Sequence, residues 1–86
     1  MTQLIKQEIE FLNNDEALAM VGKFDQHLTL IEDNFSVTVV PLGNRLILEG
    51  TPAEVEKITG LFNELLEVYR RGHRITTQEF EYALSL

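Results

Sequence analysis

Glycines divide residues 22–50 into segments of different periodicity, and this stretch constrains the fold more than any other. After Gly22, apolar side chains recur at the three- and four-residue spacing of one helical face, at Leu28, Ile31 and Phe35. Residues 36–40 and 45–49 are then mostly apolar and flank Gly43-Asn44, a pair that suits positive φ. The pattern predicts a glycine turn, an amphipathic helix and a β-hairpin, in that order.

The residues before this stretch predict one strand and one short helix. In residues 4–12, Ile9 and Phe11 alternate with acidic residues, which is typical of a half-buried strand. Asn14 is a good N-cap for a helix that ends at Gly22, since glycine is the usual residue at a helix C-terminus. Asp25 is placed to cap the next helix in the same way.

The residues after the stretch predict a long helix and a short one. Thr51 and Glu54 form a capping-box pattern around Pro52, so the long helix should run over residues 52–71. Its apolar stripe contains Val55, Ile58, Leu61, Phe62, Leu65 and Tyr69. Thr76 and Glu79 repeat the capping box and start the last helix, which has Phe80, Ala83 and Leu84 on its apolar side.

These elements predict one α/β domain over residues 1–86, of the α+β kind. Their order is β-α-α-β-β-α plus a C-terminal helix, with a three-stranded antiparallel sheet and helices on one face. The run Leu46-Ile47-Leu48 is apolar without alternation, which indicates that both faces of the last strand are covered.

Composition restricts the classes of function. The formal net charge is -7 and there is no cysteine, which argues against free-standing nucleic-acid binding and fits a reducing compartment. No apolar run approaches the roughly 20 residues of a membrane span, and the acidic N-terminus is unlike a signal peptide. We therefore expect a cytoplasmic domain without a membrane partner.

The residues Gly22-Lys23-Phe24-Asp25 resemble the Gly-x-x-Gly turn of a KH-type nucleic-acid-binding domain, apart from Asp25 in the fourth position. The resemblance implies that single-stranded RNA would lie beside Gly22, Lys23, Phe24 and His27, with Arg45 and the second strand on the other side. Binding would be weak because Asp25 repels phosphate. The alternative is that Gly22 and Asp25 only cap their helices and bind nothing.

A wider set of residues resembles the N-terminal domain of the PhoH-like ATPases, the phosphate-starvation family. The matching positions are Gly22, Asp25, Leu28, Ile31 and Glu32, then Gly43, Asn44 and Gly50, then Arg71, Gly72, Ile75, Thr76, Phe80, Tyr82 and Ala83. The resemblance implies a KH-like domain that precedes a P-loop ATPase domain, which would bind ATP and Mg²⁺ beyond Leu86. A homo-oligomer is a further expectation. The short last helix indicates a boundary cut from a longer protein, with a natural terminus as the alternative.

The residues of this chain provide no chemistry of their own. A P-loop needs Gly-x-x-x-x-Gly-Lys-Ser/Thr, whereas Gly22-Lys23 has Ala17 and Phe24 at the outer positions. The two histidines, His27 and His73, are far apart and lack cysteine partners, so we expect no metal site. We therefore expect no catalytic residue and no cofactor in this chain, and no enzymatic activity.

Basic residues concentrate after the long helix, at Arg70, Arg71 and Arg74. They have two interpretations: cations that neutralise the helix C-terminus, or a docking patch for RNA or for the acidic edge of a following domain. Two functions stay open at this point. One is an accessory domain that contacts single-stranded RNA, and the other is a protein-interaction or oligomerisation module without a nucleic-acid ligand.

Overall fold

A computed structural model describes residues 3–86. The strands are β1 (Ile5–Glu10), β2 (Val37–Leu42) and β3 (Arg45–Gly50), and the helices are α1 (Asn14–Val21), α2 (Gln26–Asn34), α3 (Pro52–Arg70) and α4 (Thr77–Ser85). A single 3₁₀ turn, Lys23–Asp25, joins α1 to α2. The predicted order of elements and the C-terminal helix are confirmed.

The strands form one antiparallel sheet in the order β1-β3-β2. The register pairs Ile9 with Leu46 and Leu48 with Val39, so these side chains share one face. All four are buried, and α2 and α3 pack over them. The predicted three-stranded sheet with helices on one face is confirmed.

The other sheet face, which we call the open sheet face, has no helix over it within residues 3–86. It displays Lys6, Glu8 and Glu10 from β1, Thr38, Val40 and Leu42 from β2, and Arg45, Ile47 and Glu49 from β3. The prediction that both faces of β3 are covered is wrong for the described residues. Ile47 is half-buried because its cross-strand neighbours Glu8 and Val40 shield it.

The long helix α3 supplies much of the core. Its buried residues recur at three- and four-residue spacing, at Val55, Ile58, Phe62, Leu65 and Leu66. Leu61 is only half-buried at the edge of this stripe, because the neighbouring Phe62 takes the central position. None of the helices within residues 3–86 combines the length and the hydrophobicity that a membrane span requires.

The helix caps confirm some of the predictions and correct others. Asn13 rather than Asn14 caps α1, since Asn13 Oδ1 accepts the Glu16 N–H at 2.9 Å. The Thr76–Glu79 capping box is confirmed in both directions. The Thr51–Glu54 box is wrong, because Glu54 instead accepts the Ser36 N–H at 3.0 Å and ties α3 to the start of β2.

Candidate functional site

The turn between α1 and α2 is built on positive φ angles. Gly22 has φ 79° and its N–H donates to the Leu18 carbonyl at 2.8 Å, which confirms it as the C-cap of α1. Phe24 and Asp25 both have φ 56°, a left-handed conformation that is uncommon for residues other than glycine. Asp25 occupies the N-cap position of α2, but its side chain makes no capping hydrogen bond. That part of the cap prediction is wrong.

His27 supports the turn from inside rather than lining its surface. The residue is 2% exposed, and its ring stacks on Phe80 with centroids 4.3 Å apart. Its Nδ1 lies 3.0 Å from the Met20 carbonyl oxygen, and because a carbonyl only accepts, Nδ1 carries the proton. Burial lowers the pKa of the imidazole below its usual value, so the neutral ring is favoured.

A short polar network ties this turn to α4. Gln26 Nε2 donates to the Thr77 hydroxyl oxygen at 2.6 Å, and that hydroxyl lies 3.4 Å from Nε2 of His27. The sequence placed Phe80 on an apolar face of α4, but it did not show that this face would stack on His27. The C-terminal helix is therefore part of the structure that supports the turn.

Phe24 and Lys23 are the side chains that the turn presents to solvent. Phe24 is 91% exposed, and Lys23 Nζ lies 5.6 Å from the centroid of its ring. Beside them, α2 and α4 border an open depression of about 330 Å³, lined by Phe24, Gln26, Thr29, Leu30, Thr77 and Glu81. An exposed aromatic ring next to a cation can stack on a base or insert into a protein surface.

Arg45 does not join this turn. Its side chain lies on the open sheet face, where Arg45 Nη1 is 3.4 Å from Glu8 Oε1, whereas the turn belongs to the helical layer. Between α2 and β2, Glu32 Oε2 accepts the Val39 N–H at 3.2 Å, which places a carboxylate at the edge of the second strand. Of the five residues predicted to bind RNA, the structure exposes Lys23 and Phe24, buries Gly22 and His27, and places Arg45 on the open sheet face.

Arg70 forms an ion pair with a buried carboxylate that the sequence did not reveal. Its Nε and Nη2 atoms donate to the two carboxylate oxygens of Glu16 at 2.9 and 2.8 Å, and the Leu12 N–H donates to Glu16 Oε1 at 2.9 Å. Although the Glu16 side chain is only 3% exposed, the hydrogen bonds from Arg70 lower its pKa. The same pairing raises the pKa of Arg70. No sequence signal links these residues, which lie 54 positions apart.

Arg71 and Arg74, the other two basic residues of the predicted docking patch, lie in different surroundings. Arg71 Nη2 lies 3.0 Å from Glu67 Oε1, an exposed ion pair four residues apart at the end of α3. Arg74 lines a cleft of about 710 Å³ together with Leu12, Asn13, Glu16, Tyr69, Arg70, Gly72 and His73. His73 Nε2 is 2.7 Å from Glu79 Oε2. In the part of the chain that the structure describes, no group of His, Asp and Glu side chains is arranged to hold a metal ion.

Comparison with known proteins gives one significant similarity. No protein-family model matches the chain, and no solved structure matches it significantly. The chain is 25% identical over 83 residues to a PhoH-like protein of Bacillus subtilis (strain 168). The alignment covers 96% of this chain and 26% of the relative, so the chain spans about a quarter of that protein. Nearly the whole chain is therefore similar to one part of a PhoH-like protein.

Proposed function

We propose that this chain is an accessory domain of a larger PhoH-like ATP-binding protein, in which it acts as a protein-interaction module. The alignment supports the first half, because it uses 96% of this chain but only 26% of the relative. ATP would bind outside these residues, since Gly22-Lys23 lacks the rest of a P-loop. The second half of the proposal rests on the open sheet face.

The observation that carries the interaction role is the uncovered apolar centre of the open sheet face. Ile47 pairs across the strands with Val40, and next to them Leu42 is 50% exposed. The three residues line a depression of about 410 Å³. Apolar residues at outward-facing strand positions are typical of a surface that another protein covers.

The charges around this centre favour an apolar partner. Lys6 Nζ lies 3.7 Å from Glu49 Oε2, and Arg45 pairs with Glu8, so these four charges already have partners within the face. Glu10, the fifth charge of the face, makes no salt bridge within residues 3–86. A partner that covers the apolar centre and leaves Glu10 in water therefore buries no unpaired charge, which would cost several kcal/mol.

The size of the face indicates which protein covers it. Three strands of six residues span roughly 14 by 20 Å, or about 300 Å². This is well below the ~800 Å² per partner of a stable complex between separate chains. A domain linked in the same chain needs less contact because its effective concentration is high. We therefore assign the face to the remainder of the PhoH-like protein.

Cysteine labelling tests this assignment, because the chain has no natural cysteine. Val40 and Val68 are matched positions, 42% and 36% exposed, on β2 and α3 respectively. In the isolated 86-residue chain, Val40→Cys and Val68→Cys should both react with a maleimide. In the larger protein, we expect Val40→Cys to be protected by at least about tenfold in rate, while Val68→Cys still reacts. Equal labelling of Val40→Cys in both proteins would rule out the assignment.

Single-stranded RNA is the second candidate ligand, and Phe24 is the observation that favours it. A bulky aromatic residue held at φ 56° and 91% exposed is conformationally costly, and such strain often marks a functional position. Stacking on Phe24 and a phosphate contact with Lys23 would provide a small binding surface. Asp25, Glu32 and the net charge of -7 all oppose it, so we expect weak binding that is lost at high salt.

Titration with single-stranded RNA at two salt concentrations, using two variants, tests this candidate. Phe24→Gly should abolish binding. Asp25→Gly should tighten it, because this change removes an acid and restores the Gly-x-x-Gly pattern. Because Asp25 has φ 56° and makes no capping hydrogen bond, the melting temperature of the Asp25→Gly variant should not be lower than that of the native chain. If neither the native chain nor Asp25→Gly binds RNA at low salt, the RNA function is excluded.

A further inference from the structure

We propose that the cleft between the start of α1 and the end of α3 binds a carboxylate of an acidic protein segment. We call this surface the basic cleft and define it by Leu12, Asn13, Glu16, Tyr69, Arg70, Gly72, His73 and Arg74. The site is separate from the open sheet face and does not depend on the function proposed for that face.

The first argument is that Glu16 fixes the orientation of Arg70. Two of the three guanidinium nitrogens of Arg70 donate to the buried Glu16 carboxylate at 2.9 and 2.8 Å. These two hydrogen bonds fix the orientation of the planar guanidinium group. The third nitrogen, Nη1, has no hydrogen-bond partner among residues 3–86. Because the Arg70 side chain is 45% exposed and lines the cleft, this donor is available to a ligand. A pre-oriented guanidinium binds a carboxylate with little further loss of entropy.

The second argument is the local charge. The chain has seven lysine and arginine residues against 14 acids, yet Arg70 and Arg74 line the same cleft. Arg74 makes no salt bridge within the described residues. Because Glu16 is paired with Arg70 and almost fully buried, the charge of Arg74 makes the surface of the cleft positive. Leu12 is 72% exposed on the wall and offers an apolar contact beside that charge.

The same balance selects a protein segment over a nucleic acid. Glu16 and Glu79 already satisfy part of the basic charge, which leaves enough for one or two carboxylates but not for a run of phosphates. At physiological salt a polyanion is repelled by the remaining acidic surface within about 8 Å. A segment in which acidic and apolar residues alternate would match both the arginines and Leu12.

The test uses a short synthetic peptide in which two glutamates alternate with leucines, labelled with a fluorophore, at physiological salt. Anisotropy should show saturable binding to the 86-residue chain. Arg74→Glu should weaken it by about tenfold or more. Arg71→Glu is the matched control, because it makes the same change of charge at a nearby position. The native Arg71 side chain pairs with Glu67 and does not line the cleft. The control should change affinity by less than about twofold.

Four results would overturn the proposal. Absence of saturable binding would remove the site. Equal losses in Arg74→Glu and Arg71→Glu would show diffuse attraction rather than a cleft. Stronger binding of single-stranded RNA, also lost in Arg74→Glu, would assign the cleft to nucleic acid. A peptide of alternating glutamine and leucine, which keeps the apolar side chains but has no carboxylate, should not bind, and if it did, apolar contact alone would explain the result.

Discussion

The imidazole of His27 lies in the space that a side chain at position 22 would need. A Cβ built on Gly22 would stand 2.8 Å from Cδ2 of His27, well inside van der Waals contact. The ring cannot easily move away, because it stacks on Phe80 and its Nδ1 donates to Met20. Glycine is therefore required at this turn both for its φ of 79° and for the close approach of the ring.

Replacing Gly22 by alanine should destabilise the domain. The combination of φ 79° and ψ 173° is strongly unfavourable for a residue with a Cβ, so we expect a loss of about 1–3 kcal/mol in unfolding free energy. Urea denaturation measures it. Gly60→Ala is the control, since Gly60 lies within α3 with no atom near its Cβ position, and alanine there should stabilise by about 0.5–1 kcal/mol. Equal effects at both positions would contradict this account of the turn.

The stability of the domain should depend on the protonation of His27. Burial lowers the folded pKa below 6.5, so the unfolded chain binds this proton more readily. The neutral His27 ring therefore makes its full contribution to the free energy of unfolding above pH 6.5. That contribution is lost as the pH falls towards the folded pKa.

The urea concentration at the unfolding midpoint should therefore decrease as the pH is lowered from about 8 to 5. The dependence should shrink in His27→Phe, which can still stack on Phe80, and persist in His73→Gln. If His73→Gln removes it instead, the buried histidine is not the responsible group.

Removing the charge of Glu16 should destabilise the folded chain at neutral pH. Glu16→Gln loses the charge-assisted hydrogen bonds from Arg70, and groups of this kind contribute about 1.5–3 kcal/mol. Because Arg70 lowers the folded pKa of Glu16, the stabilisation is present above pH 4.5 and is lost as the pH falls through the folded pKa.

Acid titration of the unfolding free energy tests this point. At acidic pH, the unfolding free energy of Glu16→Gln should depend less steeply on pH than that of the native chain. Glu79→Gln, which removes an exposed carboxyl whose pKa is lowered by His73, is the comparison at the surface. An unchanged acid limb in Glu16→Gln would show that the pair contributes no pH dependence.

Two neighbouring residues of α3 should differ sharply when truncated. Phe62 is completely buried and contacts Phe80, so Phe62→Ala should cost about 3–5 kcal/mol. Leu61 is only half-buried, and Leu61→Ala should cost about 1–2 kcal/mol. Chemical denaturation of both variants distinguishes them. A larger loss for Leu61→Ala would mean that the buried face of α3 is assigned incorrectly.

Some parts of the candidate sites could be predicted because their causes are local. Gly22 and Asn13-Asn14 mark the ends of α1 within one residue, and the Thr76–Glu79 box starts α4 as expected. Gly22, Lys23 and Phe24 share one turn because they are adjacent in sequence. His27 instead lies buried beneath the turn, and Arg45 lies on the open sheet face. The direction of a side chain depends on helix rotation and strand register, and a one-residue shift in a strand moves it to the other face.

The sequence by itself determined the element types, their order and the three-stranded sheet, because hydrophobic periodicity, glycines and caps act over a few residues. Only the tertiary structure decided that Glu16 meets Arg70, that Glu54 leaves its cap for Ser36, and that His27 lies under Gly22. It also decided that Ile47 lies on the uncovered face. These contacts join residues from different elements, and they form only where packing brings those elements together, which no local pattern in the chain specifies.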